Sequence, residues 1–222
     1  MRENIHNTII KEVANAYLQP AGLVQKGQSC TWLDDCGCFS TIVEFQPFSG
    51  YNGSALNVGV NFHWYPETYF SFDIGYRQNL PCAVYEGDEA VFTAKIEDFC
   101  THALYEVAKY RQQLRHSLDA KYAINQHSFT SEGIWGSYYK MVINGLTHDW
   151  QAMKDYFQVL QQQQYAGEWL PRLQQLARTL VDIDKHEDFV CAFIGLTQKS
   201  RQAKKLPAVS DEDLAQWVAI NA

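Results

Sequence analysis

The stretch Ala55-Leu56-Asn57-Val58-Gly59-Val60-Asn61-Phe62 decides the fold. Leu56, Val58, Val60 and Phe62 alternate with Ala55, Asn57, Gly59 and Asn61. Successive side chains on a strand point to opposite faces, so the run has one apolar face and one polar or small face. Residues 69–77 repeat the pattern, with Phe70, Phe72, Ile74 and Tyr76 set against Ser71, Asp73, Gly75 and Arg77. Upstream, residues 41–48 read as a less regular strand, and Cys30-Thr31-Trp32-Leu33 as a first one. Asp34-Asp35-Cys36-Gly37 and Tyr51-Asn52-Gly53 carry turn chemistry. Four sequential strands with short connections imply an antiparallel meander, half buried under helices.

Helical periodicity brackets this sheet. Ile5, Ile9, Ile10, Val13, Ala16 and Tyr17 predict a helix over 5–18, stopped by Pro20 and Gly22. Ile96, Phe99, Cys100, Ala103, Leu104 and Val107 predict a second over 94–116, capped by Thr93, to cover the Leu56/Val58/Phe70/Phe72 face. Beyond the Ser128-Phe129-Thr130-Ser131-Glu132-Gly133 loop the chain is helical to its end, with Ser137 and Thr147 as caps and Ser210 with Asp213 as a capping box. The fold class expected is α+β, with an α+β domain over 1–128 and a helical subdomain over 129–222.

Composition narrows the function. The net charge of -7 disfavours binding to phosphate backbones, so no nucleic-acid partner is expected. No apolar run reaches the roughly 20 residues that span a bilayer, and the N-terminus lacks a signal-peptide core. A cytoplasmic protein is expected, its six cysteines reduced, with no disulfide and no zinc.

One resemblance covers roughly the first third to half of the chain. Gln19-Pro20-Ala21-Gly22-Leu23-Val24-Gln25-Lys26-Gly27, then Glu44-Phe45-Gln46 and Leu56-Asn57-Val58-Gly59-Val60, resembles the DUF4304 family of uncharacterised bacterial proteins. Its members open with a helix, a glycine-rich turn and a strand ending near a glutamine; Leu23 stands where phenylalanine is usual. The family has no established activity, so the resemblance implies a fold and carries over no catalytic residue or cofactor.

Catalytic motifs are fragmentary. Tyr105 and Lys109 have the Tyr-x-x-x-Lys spacing of dehydrogenases but no glycine-rich dinucleotide loop accompanies them. Ser137 and Lys140 have Ser-x-x-Lys spacing without its companion motifs. Asp34 or Asp35 with Glu44 resembles a two-carboxylate metal nuclease, except that Gln46 replaces the lysine. Cys30, Cys36 and Cys38 lack a second ligand pair.

What remains is the polar strand face. Glu44, Gln46, Asn57, Asn61, Asp73 and Arg77 are read as a binding surface, with His63, Trp64, Tyr65 and Tyr69 at its rim and Gly59 and Gly75 allowing close approach. The function expected is non-enzymatic binding of a protein partner, such as toxin neutralisation or an accessory role. The alternative is an enzyme, a hydrolase or metal-dependent nuclease, whose site is assembled from residues distant in sequence.

Overall fold

The computed structural model describes residues 5–219. The chain divides into two compact units: one runs to Asn61 and takes in Ser71–Arg111, and the other holds Phe62–Phe70 and everything from Gln112 onward. The division falls at 111/112 rather than 128/129, and a short segment from the sheet region belongs with the helices. The fold is α+β, an antiparallel sheet followed by a helical C-terminal half. No helix among the described residues is long and apolar enough to cross a membrane.

The first unit opens with α1 (Ile5–Leu18), which buries Ile9, Ile10, Ala14 and Leu18 on one side, as their spacing demands. The sheet follows as β1 (Val24–Gln25), β2 (Thr31–Asp35), β3 (Phe39–Pro47), β4 (Gly53–Phe62) and β5 (Ile74–Arg77), paired in chain order. A two-residue strand, β6 (Ala83–Val84), also pairs with β4, at Gly53 and Ser54. Register fixes the faces. Trp32 sits opposite Val43, and both are fully buried with Phe45 on the side of α1 and of α2 (Glu89–Gln113). There the Trp32 indole donates to Asn15 of α1 at 2.9 Å, and the Phe45 ring meets Phe99 of α2 at 6.4 Å. Asp34, on the same side, accepts two bonds from Arg111 at 2.9 and 2.6 Å, tying α2 to the β2–β3 hairpin. Leu56 and Val58 are buried as their alternation requires.

Two expectations fail at β5. Only Ile74–Arg77 is a strand; residues 65–73 are irregular. Gly75 has φ 74°, which breaks the alternation, and Phe72 lies against Gly59, on the side opposite Val58. Phe72 and Tyr76 therefore do not join the apolar face; their rings meet edge-on at 5.2 Å. Phe70 belongs to the second unit. Thr93 is not a cap either: α2 begins at Glu89, and Asp88 accepts the amide of Val91 at 3.1 Å.

The second unit is helical: α3 (Ser117–Gln126), a π-helical turn (Glu132–Gly136), α4 (Ser137–Leu146), α5 (Trp150–Gln161), α6 (Trp169–Val181), α7 (His186–Ala203) and α8 (Asp211–Val218). Every residue of α4 is buried, which makes it the central helix. Around it Phe62, Trp64, Tyr139, Phe193 and Trp217 form an aromatic core, with Trp64 stacked on Phe62 at 4.4 Å and edge-on to Phe193 at 5.7 Å. Asp149, not Thr147, caps α5; Thr147 ends α4, its hydroxyl donating to the Ile143 carbonyl. Ser137 is no cap because the π-helical turn runs straight into α4. Ser210 caps α8 as its sequence implies, accepting the amide of Asp213 at 3.1 Å.

Candidate functional site

The polar strand face resolves into two clusters. In the first, Asn57 is fully buried and acts as a junction. Its amide nitrogen donates to Glu44 at 2.7 Å and to Gln46 at 3.0 Å, and its oxygen accepts from Nε of Arg77 at 2.8 Å. Gln46 also accepts from Arg77 Nη2 and, at 3.4 Å, from the Tyr76 hydroxyl. Register makes this possible, since Asn57 is paired with Arg77 across β4 and β5. The guanidinium carbon lies 5.8 Å from the centre of the Tyr76 ring. Tyr76 and Arg77 are exposed.

In the second cluster the buried Asn61 donates to Ser71 at 2.9 Å and to Asp73 at 3.0 Å, and Ser71 donates to the other oxygen of Asp73 at 3.0 Å. This is a local clasp across an irregular loop. It satisfies a buried amide.

The rest of the anticipated surface is not assembled as read. Trp64 is fully buried in the aromatic core of the second unit, and its backbone carbonyl accepts from Tyr138 at 2.8 Å. Such a side chain cannot form an accessible rim. His63 is buried as well, with Nδ1 3.3 Å from the Lys204 ammonium. Burial, then the charges of Lys204 and Arg201, hold its pKa well below the usual histidine value. Tyr65 is half-buried against Trp135 and Tyr138, and burial with Glu67 nearby pushes its hydroxyl up. Tyr69 is exposed.

Gly59 and Gly75 admit no partner. A Cβ at Gly59 meets the Ile74 carbonyl and, at 2.7 Å, the Phe72 ring; one at Gly75 meets the Tyr110 hydroxyl and, at 2.7 Å, the Val58 carbonyl. The close approach these glycines allow is within the unit itself.

The catalytic fragments take structural roles. Tyr105 points to solvent and Lys109 pairs with Glu106 at 2.9 Å. The Ser137 hydroxyl donates to the Glu132 carbonyl at 3.1 Å, while the buried Lys140 pairs with the Glu132 carboxylate. Asp34 is occupied by Arg111 and accepts from the Cys36 thiol at 3.5 Å, and burial followed by Asp34 raises that thiol far above its ordinary pKa. A thiol so placed is protonated and a poor nucleophile.

The second unit also holds a pocket of about 370 Å3 that the sequence did not announce, lined by Arg115, His116, Leu118, Asp213, Gln216, Trp217 and Ala219. Its residues come from the start of α3 and from α8, about a hundred positions apart, so no local motif links them. Searches against protein-family models, characterised proteins and solved structures find no match for this chain.

Proposed function

We propose that the chain is a non-enzymatic binding protein for a protein partner, acting in the cytoplasm, and that contact centres on Gln46, Tyr76 and Arg77. The observation that carries this reading is the state of Arg77. Its guanidinium is exposed and held by two neutral amides, and among the described residues no carboxylate lies within ion-pair distance of it. A fixed arginine with no directly paired carboxylate presents a planar fork that matches one. Holding it in place before binding lowers the entropic cost of association. Arginine and tyrosine are also the side chains that most often dominate interface energetics. The partner surface that fits is an acidic side chain beside an apolar patch able to cover Tyr76. Membership of a DUF4304-like group remains part of the proposal for the first third to half of the chain and adds no chemistry to it.

The test is photo-crosslinking from position 76 in native lysate, followed by affinity measurement with the captured partner. Arg77→Ala and Asn57→Ala should each weaken binding, the second by releasing the guanidinium. Circular dichroism separates this from unfolding. If folded Arg77→Ala and Tyr76→Ala proteins bind the partner as tightly as wild type, the contact lies elsewhere. Purified protein that carries and turns over a small molecule would favour the enzymatic alternative.

A further inference from the structure

We infer that the pocket between the start of α3 and α8 binds a small zwitterion, an α-amino acid with an apolar side chain. His116 caps α3 through Nδ1, which accepts the backbone amide of Asp119 at 3.3 Å. Its Nε2 lies 3.2 Å from the Asp119 carboxylate. Arg115 Nη2 lies 3.4 Å from the same Nε2. Arg115 donates through Nε to Asp119 at 3.1 Å, and its Nη1 has no acceptor among the described residues.

The opposite charge lines the same pocket. Asp213 accepts the Ser210 hydroxyl at 2.7 Å through Oδ2, and Oδ1 accepts from no donor among the described residues. Arg115 and Asp213 form no ion pair with each other there, so the two charges face one space from separate anchor points. The same pocket is lined by Leu118, exposed despite its apolar side chain, by Ala219 and by Trp217. The indole is locked by its bond to the Leu114 carbonyl at 2.8 Å, so this wall is rigid. The volume falls within the range of small-molecule sites, which begins at roughly 300 Å3. A ligand carboxylate fits the free edge of Arg115, its ammonium fits Asp213 Oδ1, and its aliphatic side chain covers Leu118. A simple anion leaves Asp213 Oδ1 without a donor, and a simple cation leaves the outer edge of Arg115 without an acceptor.

The experiment is an NMR titration of the intact chain with L-leucine, following the Trp217 indole and Ala219 amide signals. Leucine should produce saturable shifts. N-acetyl-leucine, which lacks the ammonium, and leucinamide, which lacks the carboxylate, should each bind at least about tenfold more weakly. Arg115→Gln and Asp213→Asn should each lose about as much, and both are surface changes; the second retains the amide that Ser210 caps. Absence of shifts up to about 20 mM leucine, or equal binding of the two blocked derivatives, overturns the proposal. The wild-type comparison decides the matter even if a variant misfolds. None of these changes touches Arg77, so partner binding there is a separate outcome.

Discussion

Gly75 is where the two sides of the sheet are exchanged. At φ 74° it occupies the left-handed region, which costs an L-residue roughly 1–2 kcal/mol. It also has no room: the Tyr110 hydroxyl and the Val58 carbonyl close on the space a Cβ would take. Gly75→Ala should therefore lower the unfolding free energy by about 2 kcal/mol or more in urea titration. Gly27, also at positive φ but with nothing within 4 Å, serves as the control, and its replacement by Asn should cost well under about 1 kcal/mol. Equal losses at the two sites would remove the steric part of the argument. The histidines make a second residue-level statement. His63, His6, His127 and His148 all have pKa values lowered, chiefly by burial. In the unfolded chain each titrates near about 6.5, so below that pH the unfolded state binds more protons than the folded one. Their contribution is fully present above about pH 6.5 and is lost as the solution is acidified towards the folded values. The thermal midpoint should fall between about pH 7 and pH 5, and His63→Gln should flatten that slope while lowering stability at neutral pH. A midpoint unchanged across that interval would contradict the burial of His6 and His63.

At the level of elements, the sequence was legible wherever local pattern and tertiary environment agreed. The first helix spans the residues its periodicity marks, and β4 covers the alternating run with its apolar side chains buried. The Ser210–Asp213 cap formed because both partners lie within one turn. Pattern failed where one residue changed the rule. Alternation over residues 69–77 predicts a long strand, yet only Ile74–Arg77 pairs with β4, the left-handed Gly75 lies within it, and Phe72 sits on the side opposite Val58. The π-helical turn at Glu132–Gly136 was equally invisible, since it adds one residue per turn without any turn-forming signature. The candidate site was legible in part for the same reason. Glu44, Gln46, Asn57 and Arg77 come together because strand parity and register place them on one face. Trp64 reads as a rim residue because its burial depends on α7 and α8, more than 120 residues away in sequence. Nothing in its neighbours records that.

For the molecule as a whole, the main consequence is that the helical unit is discontinuous in sequence. Its chain resumes only at Gln112, but its core includes Phe62 and Trp64 from the segment Phe62–Phe70. Both are fully buried, and Trp64 contacts rings of Tyr139, Phe193 and Trp217, which come from three different helices. An aromatic side chain of this size buries roughly 150–250 Å2. At about 25 cal/mol per Å2 the pair contributes on the order of 7–12 kcal/mol of transfer free energy. That is comparable to the whole stability of a typical domain, roughly 5–15 kcal/mol. A fragment beginning at Gln112 lacks this contribution and also loses the acceptor of the Tyr138 hydroxyl, the Trp64 carbonyl, which leaves a fully buried polar group unpaired. Such a fragment should keep helical far-ultraviolet dichroism while losing near-ultraviolet signal and amide dispersion, the signature of secondary structure without fixed packing. Fusing residues 62–70 to its N-terminus through a flexible linker should restore part of the dispersed spectrum. If the fragment from Gln112 melts cooperatively at the temperature of the intact chain, the segment is dispensable and the unit is not discontinuous in any energetic sense.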